Sequence, residues 1–125
     1  MARWVAVRNR SRRGELVLRA RWCESFLCRL RGLTFRRELP SGEGLLLVEA
    51  RESRAETAIH MWMVAFPIAV AWLDDELHVV DARLALPWRI YVPARPARYT
   101  LEGGPGMLQS VAVGEVLEFD DSSAD

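Results

Sequence analysis

The sequence predicts a mainly β fold, a β-sandwich or barrel-like sheet with one amphipathic helix packed across it. Three observations carry that expectation. Short apolar or alternating runs recur along the chain, separated by Gly, Pro and Asp, the pattern of many short strands joined by turns. One stretch alone, starting at Trp22, spaces its apolar residues at helical intervals. The chain has 125 residues, of which half are hydrophobic and 27% charged, a composition and length that suit a single globular domain. Residues 1–119 are expected to form one β-rich domain, and residues 120–125 a polar, disordered tail.

The elements follow in order. Residues 3–7 read as a strand, residues 9–14 as an Arg-rich polar turn, and residues 15–19 as the returning strand of a hairpin. The period then changes. Trp22, Phe26, Leu27, Leu30 and Leu33 fall on one face, with Arg21, Glu24, Arg29 and Arg31 on the other, so a helix is expected near residues 22–31, stopped at Gly32. Pro40, Gly42 and Gly44 mark a loop. Residues 45–48 form a short buried strand, residues 51–56 a charged connector, and residues 58–63 an extended segment. Residues 68–73 are apolar on both faces, hence a central strand. Asp74, Asp75 and Glu76 form a tight turn, and residues 77–83 return beside it. Residues 86–96 carry three prolines and read as irregular. Residues 99–102 and 116–119 are the last strands, separated by a Gly-rich loop and one helical turn near Met107 and Leu108.

Composition excludes several chemistries. The chain contains no Lys, which removes Schiff-base catalysis and the phosphate-loop lysine. Net charge is zero, yet residues 1–37 hold 11 Arg against two acids, while residues 55–125 carry a net −7. Such asymmetry fits either a basic face for nucleic acid or anionic lipid, or halves that neutralise each other once folded. Cys23 and Cys28 lie five residues apart, which on a helix does not stack them, so free thiols, buried or half-buried, are expected. No export signal precedes them, which reads as cytoplasmic. The longest apolar run, residues 59–73, is interrupted by His60 and broken by Pro67, so no membrane span is expected.

Few residues carry chemistry. Two His and two Cys without ligand spacing make no metal site, and neither dinucleotide nor phosphate-loop patterns are present. No cofactor and no catalytic residue are therefore assigned. Trp4 and Trp22 accompany the arginines but read as core. His60, Trp62, Trp88 and Arg89 flank prolines or loops, and with Gly103 and Gly104 keeping the backbone open they are the candidates for a ligand groove. Trp and Met suit adaptable binding surfaces.

Residues 59–74, running from Ile59 and His60 through Pro67 and Ile68 to Asp74, resemble the central motif of the prokaryotic Domain of Unknown Function family 192. So do Arg31, Gly32 and Leu33 with Arg36, Arg37, Glu38 and Leu39. The closing elements follow in order: Pro87, Trp88 and Arg89, then residues 97–104, then Val113, Gly114 and Glu115. The resemblance implies a small, mainly β, sandwich-like domain with one helix and supplies no reaction. The chain departs from the family pattern at polar positions, carrying Val64, Ala65 and Ala69 where the family commonly has basic or acidic residues.

These readings favour a small non-catalytic binding or interaction domain with an apolar, aromatic groove for a small ligand or protein partner. The alternatives are an enzyme of hydrolase-like chemistry, or weak nucleic-acid binding through the N-terminal arginines. Nucleic acid is disfavoured because the arginines fall on separate elements.

Overall fold

The computed structural model describes residues 3–24, 41–61 and 64–121. Nine strands are present among them: β1 (Trp4–Asn9), β2 (Glu15–Cys23), β3 (Glu43–Ser53), β4 (Ile59–His60), β5 (Ile68–Leu73), β6 (Val79–Ala85), β7 (Ile90–Tyr91), β8 (Ala97–Gly103) and β9 (Leu117–Asp121). Seven form one sheet in the order β6-β5-β8-β3-β2-β1-β9, and β4 and β7 form a separate pair. Every pairing is antiparallel except β2 with β3. Two short 3₁₀ segments, at Arg10–Arg12 and Pro105–Gln109, complete the described elements.

The sheet curls into a half-barrel. Its two edge strands meet at one end, where His78 bridges Val116 and the Leu117 amide donates to the Leu77 carbonyl at 3.0 Å. Asn9, fully buried, secures that end. Its side-chain amide donates to the Ser110 carbonyl at 2.9 Å and to Glu115 at 3.0 Å.

Strand alternation sorts the apolar residues into two clusters. Val5, Val7, Leu18, Leu46, Ala71, Leu101 and Leu117 belong to the first, which Met107 completes. The second lies on the opposite face of β3, β8, β5 and β6: Leu45, Val70, Trp72 and Ala85 point there, beneath Ile59, Met61 and Val64. The indole N–H of Trp72 donates to the Thr57 carbonyl at 2.8 Å, so its one polar atom is satisfied within the core. Because both faces of β5 are covered, all six of its residues are buried, as its unbroken apolar run implies.

The mainly β architecture agrees with the sequence reading, and the helix near residues 22–31 is corrected. Trp22 and Cys23 continue β2, because Leu18, Ala20 and Trp22 alternate onto the first cluster and Arg21 opposes Leu45 in a parallel ladder. Residues 25–31 lie outside the described residues, and no α-helix occurs among those described. The charged connector at residues 51–56 is shorter than expected, since β3 runs on to Ser53. Cys23 is buried and disulfide-bonded, which overturns the expectation of free thiols. Trp4 is also displaced from its expected place, since it shares the face of Ala6 and not that of Val5 and Val7, with the Arg19 guanidinium 5.8 Å from its ring centre. Asp120 and Asp121, read as tail, belong to β9, while residues 122–125 lie outside the described residues.

Candidate functional site

The segment from residue 86 to 92 shapes the surface where three groove candidates converge. Pro87 fixes its own φ, and the next residue, Trp88, adopts φ +65°. Proline followed by a left-handed residue is the plan of a type II turn, whose third position ordinarily takes Gly or Asn. Here a Trp occupies it. The turn is held from two sides. The Trp88 amide donates to the Met61 carbonyl at 2.8 Å, and the Met61 amide donates to the Arg89 carbonyl at 2.7 Å. Beyond it, His60 pairs with Ile90 and Ile59 with Tyr91. The Tyr91 hydroxyl accepts from the Leu86 amide at 2.8 Å, closing the corner.

Buried Met61 anchors this corner to the second cluster while its outer residues stay in solvent. Trp88 is 55% exposed and Ile90 59%, and Val92 is exposed as well. His60 and Arg89 are also exposed. His60, Trp88 and Arg89 thus share one apolar corner with a polar rim. Trp62 lies outside the described residues.

Gly103 and Gly104 serve elsewhere. Gly103 faces the first cluster, where a Cβ would lie 2.6 Å from Leu18 Cδ2 and 3.0 Å from the Met107 sulfur, so it is a close-packing glycine. Gly104 has open space around it and lines a cavity of about 260 Å³. Val17, Leu18 and Met107 supply apolar walls there, and Ser41, Glu43 and Ser110 polar ones. None of His60, Trp88 and Arg89 lines it.

One residue with unusual electrostatics was not apparent from the sequence. Glu102 lies near the end of β8, opposite Leu45 on one side and Val70 on the other, and is 6% exposed. Burial pushes its carboxyl up to about 7. Glu115 is shifted the other way: the hydrogen bond from Arg12 holds its carboxyl below the usual range, helped by Asn9 and the Ala112 amide against partial desolvation. Among the described residues no group of three His, Cys, Asp or Glu side chains is placed to hold a metal ion.

The sequence profile of DUF192, described as uncharacterized ACR, matches residues 7–119. A UPF0127 protein of Pyrococcus furiosus is 36% identical over 107 residues, covering 84% of this chain and 90% of that protein. A UPF0127 protein of Thermococcus kodakarensis is 37% identical over 92 residues, covering 74% of this chain and 57% of the relative's own length. Two crystal structures share the fold. One, described as a proposed transcription regulator of Sinorhizobium meliloti 1021, superposes with a TM-score of 0.80 at 20% identity, covering 95% of this chain and 94% of that one. The other, a protein of unknown function from Novosphingobium aromaticivorans, has a TM-score of 0.73 at 19% identity, covering 93% and 83%.

Proposed function

The chain belongs to the DUF192 family, and on that premise we propose that it is a non-catalytic binding module whose recognition surface is the Trp88 corner. The observation that carries this reading is the backbone of Trp88. A bulky residue at positive φ costs roughly 1–3 kcal/mol, and such strain tends to cluster where function needs it. Here the strained turn exposes a Trp beside exposed Ile90, with His60 and Arg89 at the rim. Exposed aromatic and aliphatic anchors within a polar rim suit an apolar side chain of a protein partner.

The experiment is a backbone-amide NMR screen with short peptides carrying Phe, Leu or Trp, and with apolar fragments as controls. Perturbations are expected at residues 60 and 88–92 and are lost in Trp88→Ala. Shifts confined to Gly104, Gly106 and Met107 would overturn the reading and move recognition to the cavity.

The description of the Sinorhizobium neighbour raises nucleic-acid binding as a second reading. The arginine layout weighs against it. Arg8 pairs with Asp120 at 3.0 Å, Arg12 with Glu115 at 2.9 Å, Arg83 with Asp81 at 3.3 Å and Arg98 with Asp75 at 3.7 Å. No described helix is long and apolar enough to cross a membrane. The cytoplasmic placement stands as a proposal opposed by the Cys23 disulfide, because disulfides are rare in reducing compartments. Alkylation of thiols at lysis decides it: oxidised Cys23 in freshly broken cells argues for an oxidising site.

A further inference from the structure

The cavity beside Gly104 is kept open by bare backbone. A Cβ on Gly44 would come within 3.1 Å of Leu18 Cδ2, and one on Gly103 within 2.6 Å of the same atom and 3.0 Å of the Met107 sulfur. Leu18 and Met107 line the cavity, and these two glycines let them settle against the sheet and leave the space over them clear. Gly104 and Gly106, on the wall, have nothing within 4 Å of where a Cβ would stand. The rim is tied in place. The Gly42 carbonyl accepts from the Arg19 amide, the Gly104 carbonyl from the Met107 amide and the Ser110 carbonyl from the Asn9 side chain, each at 2.9 Å. The site is therefore preformed. Its volume of about 260 Å³ equals that of about nine waters, which suits a fragment-sized ligand. Glu43, half-buried, is the one charged side chain on its wall among the described residues. Arg19 stands opposite it in register, with its guanidinium 5.8 Å from the Trp4 ring centre. No ion pair among the described residues includes Glu43.

The geometry points to a binding site for a protonated primary amine on a short alkyl chain. The lining selects this class. An anion meets the Glu43 carboxylate with no cation on the wall to offset it. A hard divalent ion needs more oxygen ligands than one carboxylate and two serine hydroxyls supply. A neutral polyol exchanges hydrogen bonds with water for similar ones here, at little net gain, and leaves the apolar wall uncovered. A primary ammonium brings three N–H donors and a positive charge. Glu43 accepts from it in a charge-assisted bond, and the Ser41 and Ser110 hydroxyls offer further acceptors. The alkyl chain then covers Val17, Leu18 and Met107. This inference does not depend on the Trp88 corner, none of whose exposed residues lines the cavity.

The test is a backbone-amide NMR titration of the full chain at neutral pH with pentylammonium, 1-pentanol, pentanoate, tetramethylammonium and glycerol in turn. Pentylammonium is expected to shift Ser41, Gly42, Glu43, Gly104 and Gly106 saturably, with a Kd of about 1 mM or tighter. Pentanol has the chain without the charge, pentanoate the opposite charge, and tetramethylammonium the charge without an N–H, so each is expected to bind at least tenfold more weakly. Glu43→Gln is expected to weaken pentylammonium at least tenfold, and Trp88→Ala to leave it unchanged. Gly104 has extended backbone, φ −65° and ψ 158°, which any residue adopts, so Gly104→Leu should fold and narrow the cavity, again weakening binding at least tenfold. The wild-type series stands whether or not Glu43→Gln folds. Saturation by pentanol, pentanoate or glycerol at equal affinity, pentylammonium binding undiminished in both cavity variants, or shifts confined to residues 60 and 88–92 overturns the inference; the last outcome leaves the Trp88 reading standing.

Discussion

Trp88 occupies backbone space that suits glycine, with a φ of +65°. Left-handed backbone costs an L-residue roughly 1–2 kcal/mol, while glycine's extra freedom in the unfolded chain costs about 0.5–1 kcal/mol. Trp88→Gly is therefore expected to leave stability unchanged or raise it by up to about 1 kcal/mol in urea denaturation, while removing the exposed indole from the proposed recognition surface. Glu102 gives a second test at this scale. Its raised pKa means that the unfolded chain releases this proton from about 4.5 upward, while the folded chain keeps it to about 7. Stability therefore falls across that window and levels off above it, by roughly 3 kcal/mol for this group alone. Denaturation midpoints of wild type minus Glu102→Gln, taken at steps across that window, isolate the slope; a flat difference rejects it. Glu115 acts in the opposite sense. Its lowered pKa adds stability above the usual carboxylate range, and that is lost on acidification. Glu102 escaped the sequence reading for a physical reason. Tyr99, Thr100, Leu101 and Glu102 alternate like a strand with one wet face, but β8 lies inside the sheet and both of its faces are covered.

Three glycines near the β3–β8 junction separate packing from openness at the scale of an element. Gly44 leaves no room for a Cβ against the Glu102 carbonyl, which is backbone and cannot swing aside. Gly103 would meet the ends of Leu18 and Met107, which are flexible, and Gly104 meets nothing within 4 Å. The expected order of destabilisation is Gly44→Ala over Gly103→Ala over Gly104→Ala, with the first costing about 3 kcal/mol or more and the last within about 0.5 kcal/mol. Thermal denaturation of the three variants checks the order. The strands that the sequence reading located best were those with uninterrupted apolar runs, above all β5. The helix expected from Trp22 onward failed at its start because period 2 in Leu18, Ala20 and Trp22 overlaps period 3.6 in Trp22, Phe26 and Leu30. The convergence of His60 with Trp88 and Arg89 could be anticipated only as a cluster near prolines. The pairing of β4 with β7 that produces it involves two residues from each strand, too few to leave a periodic trace.

At the scale of the whole molecule, the opposite charges of the two ends meet across neighbouring strands. Arg8 on β1 lies beside Asp120 on β9, and Arg12 reaches Glu115. An exposed pair such as Arg8–Asp120 contributes about 0–1 kcal/mol and chiefly flattens the surface field. Arg3 stacks on Trp22, with the guanidinium carbon 4.1 Å from the ring centre. The chain is therefore expected to bind duplex DNA weakly at most, without sequence preference, and to release it between roughly 50 and 200 mM salt. Fluorescence anisotropy with two unrelated duplexes measures this, and submicromolar affinity at physiological salt would show a true nucleic-acid site.

The pairing of β1 with β9 also sets a schedule for folding. Arg8 and Asp120 are 112 positions apart, yet their strands are hydrogen-bonded neighbours. A chain emerging from a ribosome can close the β1–β2 hairpin early, but the other edge of β1 stays unpaired until residues 117–121 have been released. An open apolar edge is a template for a second chain. A fragment ending before Leu117 should therefore associate or remain molten, detected by light scattering and dye binding. The full chain, rich in distant pairings, should refold in milliseconds to seconds and not in microseconds. The slowest step of its birth is then the arrival of its last strand.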